Sequence, residues 1–98
     1  MTRELLVRPD AEAEMAEAQA WYESRSPGLG ADFLLSVDAA LQAVARNPFR
    51  FPAVYKNVRR ALTKRFPYQI FFVAEEHKVL VLAVFHARRN PSVWQRRS

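Results

Sequence analysis

Apolar positions recur along this chain with two periods, and the change from one to the other divides it. Glu4–Arg8 begins with Leu5, Leu6 and Val7 in succession and is ended by Pro9, so a strand is predicted there. From Pro9-Asp10 onward the spacing is helical: Ala11, Met15, Ala18 and Tyr22 fall on one stripe, with Trp21 beside it. Proline suits a first helical turn, Asp10 is placed to cap, and Glu12 and Glu14 complement the positive end of the helix dipole. Ser24–Gly30, containing Pro27, Gly28 and Gly30, breaks the helix. A second helix is predicted from about Ala31 to Arg46, with Phe33, Leu34, Val37, Ala40, Leu41 and Val44 facing inward and Asn47-Pro48 as its stop. Two helices joined by a short glycine-containing turn make an antiparallel hairpin. Phe49–Lys56, with Pro52 and several aromatics, reads as an irregular crossover.

Beyond the crossover the pattern becomes that of strands, over Val58–Thr63, Tyr68–Ala74 and Lys78–His86, with Glu75-Glu76-His77 closing a hairpin. Ile70 and Phe72 alternate with Phe71 and Val73, and Val79, Val81, Ala83 and Phe85 alternate with Leu80, Leu82 and Val84. Both faces of these two strands are apolar, as central strands covered on both sides require. Val58–Thr63 differs, because Arg59 and Arg60 lie on it and Lys64 and Arg65 follow, so its side chains should reach water. Glu4–Arg8 must join this meander after the helices, beside one of its strands. The resulting order is β-α-α-β-β-β with a short terminal segment from Pro91: an α+β fold in which a helix hairpin packs on an antiparallel sheet. Residues 1–98 show no linker, repeat or low-complexity tract and read as one domain.

Charge sharpens this division. Residues 1–54 carry five basic and eight acidic side chains, whereas residues 55–98 carry ten basic and two acidic. Such polarity suits a surface in the second half that meets an anionic partner. Besides Arg59, Arg60, Lys64 and Arg65, cations gather after the last strand at Arg88, Arg89, Arg96 and Arg97, next to His86. The absence of cysteine removes disulfides and thiolate metal sites and fits a reducing compartment. Without a signal-like start or a spanning apolar run, the expected location is the cytoplasm, away from membranes.

Several chemistries are disfavoured by the same residues. Two histidines offer no metal-ligand spacing, and Gly28 and Gly30 belong to the helix turn rather than to a phosphate-cradling loop, so neither metal nor cofactor is expected. No serine has a credible histidine and carboxylate constellation. The helices carry Glu12, Glu14, Glu17, Glu23, Asp32 and Asp38, which argues against direct reading of DNA by either.

Several blocks carry a resemblance: Trp21-Tyr22-Glu23 ending the first helix, SPGLGADF at Ser26–Phe33, Asn47-Pro48-Phe49, VRRALTKRFPYQIFF at Val58–Phe72 and VLAVFHARRNP at Val81–Pro91. Together they resemble the RelE/ParE superfamily of toxins from type II toxin–antitoxin modules, also called plasmid stabilisation proteins, on the ParE side. The resemblance implies a small cytoplasmic growth inhibitor neutralised by a cognate antitoxin, with any contact to operator DNA made through that antitoxin. It also implies two modes of action. RelE-type members are ribosome-dependent endoribonucleases that cut messenger RNA, whereas ParE-type members poison DNA gyrase and catalyse nothing. A third outcome is a scaffold that binds its antitoxin but has lost toxicity.

The nuclease members resemble one another in lysines on the second strand, an arginine at the start of the third, an arginine just after the fourth and a terminal tyrosine. This chain keeps Arg60 and Arg88, but has Leu62, Gln69 and Trp94 where the other lysine, the arginine and the tyrosine fall. Phosphate holding survives such losses better than proton transfer, because arginine stays protonated and makes a poor base. The non-catalytic reading is therefore favoured, with Arg60, His86 and Arg88 as the residues a nuclease would use. The expected target-binding residues are Arg60, Lys64, Arg65, Arg88, Arg89 and Trp94. For the antitoxin, Trp21, Leu29, Phe49, Phe51 and Tyr55 are the apolar contacts, or else a second small cluster beneath the crossover; the sequence does not choose between these.

Overall fold

The computed structural model describes residues Thr2–Arg97. Its elements are β1 (Glu4–Val7), α1 (Pro9–Arg25), α2 (Leu29–Arg46), a single 3-10 turn (Pro48–Arg50), β2 (Ala53–Tyr55), β3 (Val58–Leu62), β4 (Tyr68–Ala74), β5 (Lys78–His86) and α3 (Ser92–Gln95). The strands form a five-stranded sheet in the order β1-β5-β4-β3-β2. This is the expected α+β arrangement with two additions. The crossover is not wholly irregular, because β2 forms within it and pairs antiparallel with β3. The sheet is mixed rather than purely antiparallel, because β1 runs parallel to β5. Three residues with a proline just before them give too weak a pattern to read as β2, and the direction of β1 depends on where α1 and α2 return the chain.

The hairpin of helices is fixed at its turn by a contact the local sequence pattern does not announce. Glu23, near the end of α1, accepts the backbone N–H groups of Gly28 and Gly30, so the orphan donors at the start of α2 are satisfied from the neighbouring helix. Gly28 adopts the left-handed conformation, φ 90°, that lets the chain turn there. Gly30 lies inside α2, where a Cβ would meet the Gln19 carbonyl oxygen at 2.8 Å. Only glycine lets the helices cross so closely. At the other end of α1, Arg8 occupies the cap position with no side-chain hydrogen bond, and Asp10 is already helical, so Asp10 does not cap. It still favours the first turn through the dipole.

The side of the sheet facing the helices carries the main core. Phe33, Val37 and Val44 of α2 meet Ala11 and Ala18 of α1, Ile70 and Phe72 of β4, and Val79, Val81 and Val84 of β5. The opposite side is also apolar, with Val58, Phe71, Leu82, Ala83 and Phe85 covered by Trp94 of α3. Both faces of β4 and β5 are thus covered, although the predicted alternation along β5 fails midway. Phe71 pairs with Ala83 and Phe72 with Val81, leaving Leu82 as the extra residue of a β-bulge. Past the bulge the faces exchange. Val84, not Ala83, joins Val79 and Val81 against the helices, and His86 therefore points to the helix side beside Tyr68.

Candidate functional site

The predicted cations do not form one surface. Arg59 and Arg60 diverge as neighbours on a strand must. Arg59 turns to the helix side, where its guanidinium donates to the Phe51 carbonyl at 2.5 Å and lies over the Phe49 ring. Arg60 turns to the other side and enters a cleft of about 270 Å³ whose walls include Gln69, Phe85, Arg89 and Trp94. Its guanidinium reaches the Gln69 side-chain oxygen at 3.5 Å. Arg89 stands at the same cleft, 4.0 Å over the Phe85 ring and 3.7 Å from Glu14. Arg88 is exposed in the turn that follows β5. Lys64 and Arg65 lie elsewhere, at the β3–β4 turn beside α2, where Arg65 pairs with Asp32 at 3.4 Å. The structure therefore brings Arg60 and Arg89 together and separates Lys64 and Arg65 from them.

Trp94 lines the Arg60 cleft but is committed to packing. It is 4 % exposed and stacks on Phe71 with ring centroids 3.9 Å apart, its edge against Tyr55. An indole at this position supplies the cover of the second face.

His86 is equally committed. Its Nδ1 accepts the backbone N–H of Arg88 at 3.1 Å, closing the turn after β5, and its ring meets the Tyr68 edge. With Nδ1 accepting from the backbone, that lone pair is already engaged. Tyr68 is half-buried, and its hydroxyl pKa is raised above the ordinary 10.0, chiefly by desolvation and then by Tyr22 and Glu17, against a lowering by Arg89. Burial likewise raises Tyr22. These hydroxyls stay protonated at neutral pH and can donate but not act as bases. The chemistry assembled at this end of the sheet holds an anion more readily than it moves a proton. Among the described residues no group of three or more His, Asp or Glu could hold a metal ion, and no helix is long and apolar enough to cross a membrane.

The feature that sequence reading missed is a clamp that ties Arg97 to the first helix. Arg97 meets Glu14 side by side, with contacts of 3.2 and 3.0 Å, lies 3.5 Å from Asp10, and donates to the Leu82 carbonyl at 3.1 Å. Glu14 in turn accepts the Val84 backbone N–H at 3.0 Å. β1 pairs with β5 only as far as Val81, so Leu82 and Val84 would otherwise present an open edge. The ion pair supplies both hydrogen bonds that a neighbouring strand would make. No sequence signal marks it, since Glu14 fits the helix dipole and Arg97 fits a basic tail.

The apolar residues expected at a partner interface are also dispersed. Trp21 and Phe49 are 52 % and 54 % exposed, the first beneath Arg25 and the second beneath Arg3 and Arg59. Trp21 stands near the end of α1, which leads into the start of α2, whereas Phe49 follows the end of α2, itself about 27 Å long by helical rise. Leu29 and Phe51 pack against the helix-side core, and Tyr55 against the second cluster.

Residues 5–91 match the family described as "ParE toxin of type II toxin-antitoxin system, parDE". Toxin ParE2 of Mycobacterium tuberculosis, in strain CDC 1551 / Oshkosh and in strain H37Rv, is 28% identical over 93 residues, covering 94% of this chain and 89% of the relative. A solved structure of the chromosomal ParDE TA system from P. aeruginosa superposes with a TM-score of 0.76 at 13% identity, covering 87% of this chain and 96% of that one. At that identity the match speaks for the fold, and the sequence match carries the assignment: this chain belongs to the ParE toxin family of type II toxin–antitoxin systems.

Proposed function

We propose that this chain is a toxin that binds and poisons DNA gyrase in the cytoplasm and is neutralised by a cognate antitoxin. The single observation that carries the reading is at the end of the sheet: Arg60 and Arg89 share a cleft, while the histidine and tyrosine beside it are tied up or protonated. Such a surface grips an anionic macromolecule without offering a base. In a supercoiling assay the purified chain should inhibit gyrase and accumulate cleaved DNA; no effect at large molar excess would overturn the proposal. The antitoxin part is tested by the product of the adjacent reading frame, which should restore growth to cells expressing the toxin.

A second reading, a ribosome-dependent endoribonuclease, draws on the position of His86 at the rim of the Arg60 cleft, with its ring turned toward Tyr68. It requires primer extension on ribosome-bound messenger to show codon-positioned cuts that Arg60→Ala or Arg88→Ala abolishes.

A further inference from the structure

The 3-10 turn after α2 gathers four arginines from segments far apart in the sequence. Arg46 ends α2, Arg50 ends the turn itself, Arg3 stands just ahead of β1, and Arg59 reaches over from β3. The Arg3 backbone N–H bonds to the Ala45 carbonyl at 3.0 Å, and Arg3 and Arg46 then line one small cleft. Among them stands the exposed ring of Phe49. The guanidinium carbons of Arg3 and Arg59 lie 5.2 and 5.1 Å from its centroid, so their charges are within about 10 Å of each other, a Debye length at 0.1 M ionic strength. Each is also fixed by a backbone carbonyl: Arg3 Nε donates to Glu75 at 3.1 Å, and Arg59 to Phe51 at 2.5 Å. A ring and neutral carbonyls set position without cancelling charge, and other N–H donors of each fork stay uncommitted. Among the described residues, Arg65, Arg89 and Arg97 have carboxylate partners, whereas Arg3, Arg46, Arg50 and Arg59 have none within ion-pair distance. Glu76 stands on the wall of the Arg3 cleft, but its carboxylate is 3.7 Å from His77. Like charges built this close cost free energy until an anion joins them.

We infer that this turn docks the phosphate backbone of duplex DNA, gripping it without reading bases. Guanidinium forks match phosphate oxygens in pairs, and an open turn with Arg46 and Arg50 exposed suits a polyanion better than a single enclosed ion. A single strand would call for a free ring on which its bases could stack, and Phe49 already carries two guanidinium groups. Sequence readout would call for a helix or ribbon laid in a groove, whereas α2 offers only its end here. The contact is therefore expected to be blind to sequence and steeply dependent on salt. Arg59 and Arg60 leave β3 on opposite sides, so the surface is separate from the Arg60 cleft, and the inference does not depend on gyrase as the target. Counting charges along the chain conceals it, because Arg3, Arg46 and Arg50 belong to the half in which acids outnumber bases.

The probe is a fluorescent duplex of about twenty base pairs, two helical turns, titrated with the full chain and followed by anisotropy. Between about 50 and 200 mM salt, four arginines each neutralising one phosphate give a log–log slope of about −3.6. Arg46→Gln plus Arg50→Gln should remove about 2 from that slope and lower affinity at least tenfold at the lowest salt. Lysine at both positions keeps the charge and should restore most of the binding, and a duplex of scrambled sequence should bind equally well. Because the chain is basic as a whole, the decisive control removes the same charge elsewhere: Arg25→Gln plus Arg96→Gln should leave most of the affinity in place. An equal loss in that pair would mean that binding follows net charge, and would overturn the proposal. So would lysine restoring nothing, a scrambled duplex binding differently, or a single strand of the same length binding more tightly. Polyglutamate binding as well as the duplex at matched charge would give the surface to an acidic protein instead, and would overturn it too.

Discussion

The two faces of the sheet are both apolar, yet they are covered by different means. Facing the helices, β4 and β5 meet α1 and α2, elements of 17 and 18 residues whose inward stripes are continuous. On the other face the cover is α3, four residues long, which contributes Trp94 and is followed directly by the Arg97 that closes on Glu14. The first face is held by area, the second by one ring and one ion pair. A long amphipathic helix can lose a contact and stay docked, whereas a single turn of helix has no such reserve. Of the two cations proposed to meet the target, Arg60 stands on β3 and Arg89 in the segment between β5 and α3. The placement of Arg89 therefore depends on the more weakly founded cover.

Removing area from the helix face should have the largest effect. Phe72 is fully buried among α2, β4 and β5, so Phe72→Ala should lower stability by about 4 kcal/mol, seen as a large drop of the midpoint in urea. A loss below about 1 kcal/mol would show that this face is not the principal core.

Next comes the clamp. Glu14→Ala leaves the Arg97 guanidinium and the Val84 N–H without their carboxylate and should cost about 2–3 kcal/mol. The comparison predicts where the loss appears. Amide hydrogen exchange should quicken in α3 and at the β5 edge while β3 and β4 keep their protection, and gyrase inhibition should weaken with it. Unchanged protection in α3 would mean that Trp94 alone secures the second face.

A smaller effect tests the hairpin that gives the helix face its strength. Gly30→Ala pushes a methyl group toward the Gln19 carbonyl and should cost about 1–3 kcal/mol despite the better helix propensity of alanine. A gain in stability would mean that the helices part easily there.

The smallest is a pH effect confined to the helix side, where Tyr22 and Tyr68 lie edge to face with ring centroids 6.2 Å apart. Their folded-state pKa values are raised above 10.0, so the folded chain holds these protons more tightly than the unfolded one. That contribution is fully present below about pH 10 and is lost as the pH climbs through the raised values. Thermal melts should show a decline on the alkaline side that Tyr68→Phe makes shallower, and equal slopes for both proteins would argue against the burial described.

How much of this was legible follows from the reach of each interaction. β1, α1, α2, β3, β4 and β5 were readable because each is announced by residues within a few positions of one another. The same applies to the opposed directions of Arg59 and Arg60. β2 was missed because Ala53–Tyr55 is too short to show a period. The stacking of Trp94 was not legible for another reason: an aromatic at such a position looks the same whether it is offered to a partner or folded back on Phe71. Of the candidate site, the identities of its cations could be listed, but not which of them share a cleft.

By itself, then, the sequence determined the element order, the α+β class, the two-sided apolar character of β4 and β5, and the cationic second half. Tertiary structure alone decided the parallel entry of β1, the bulge at Leu82 that turned His86 toward Tyr68, the capping of α2 by Glu23, and the division of the arginines between two faces. It also joined Glu14 to Arg97, residues 83 positions apart. Periodicity is a local property and survives in a string of letters. A hydrogen bond between distant residues exists only after the intervening chain has chosen its path, and in this protein such bonds fix the strand edge and hold the short cover of the second face.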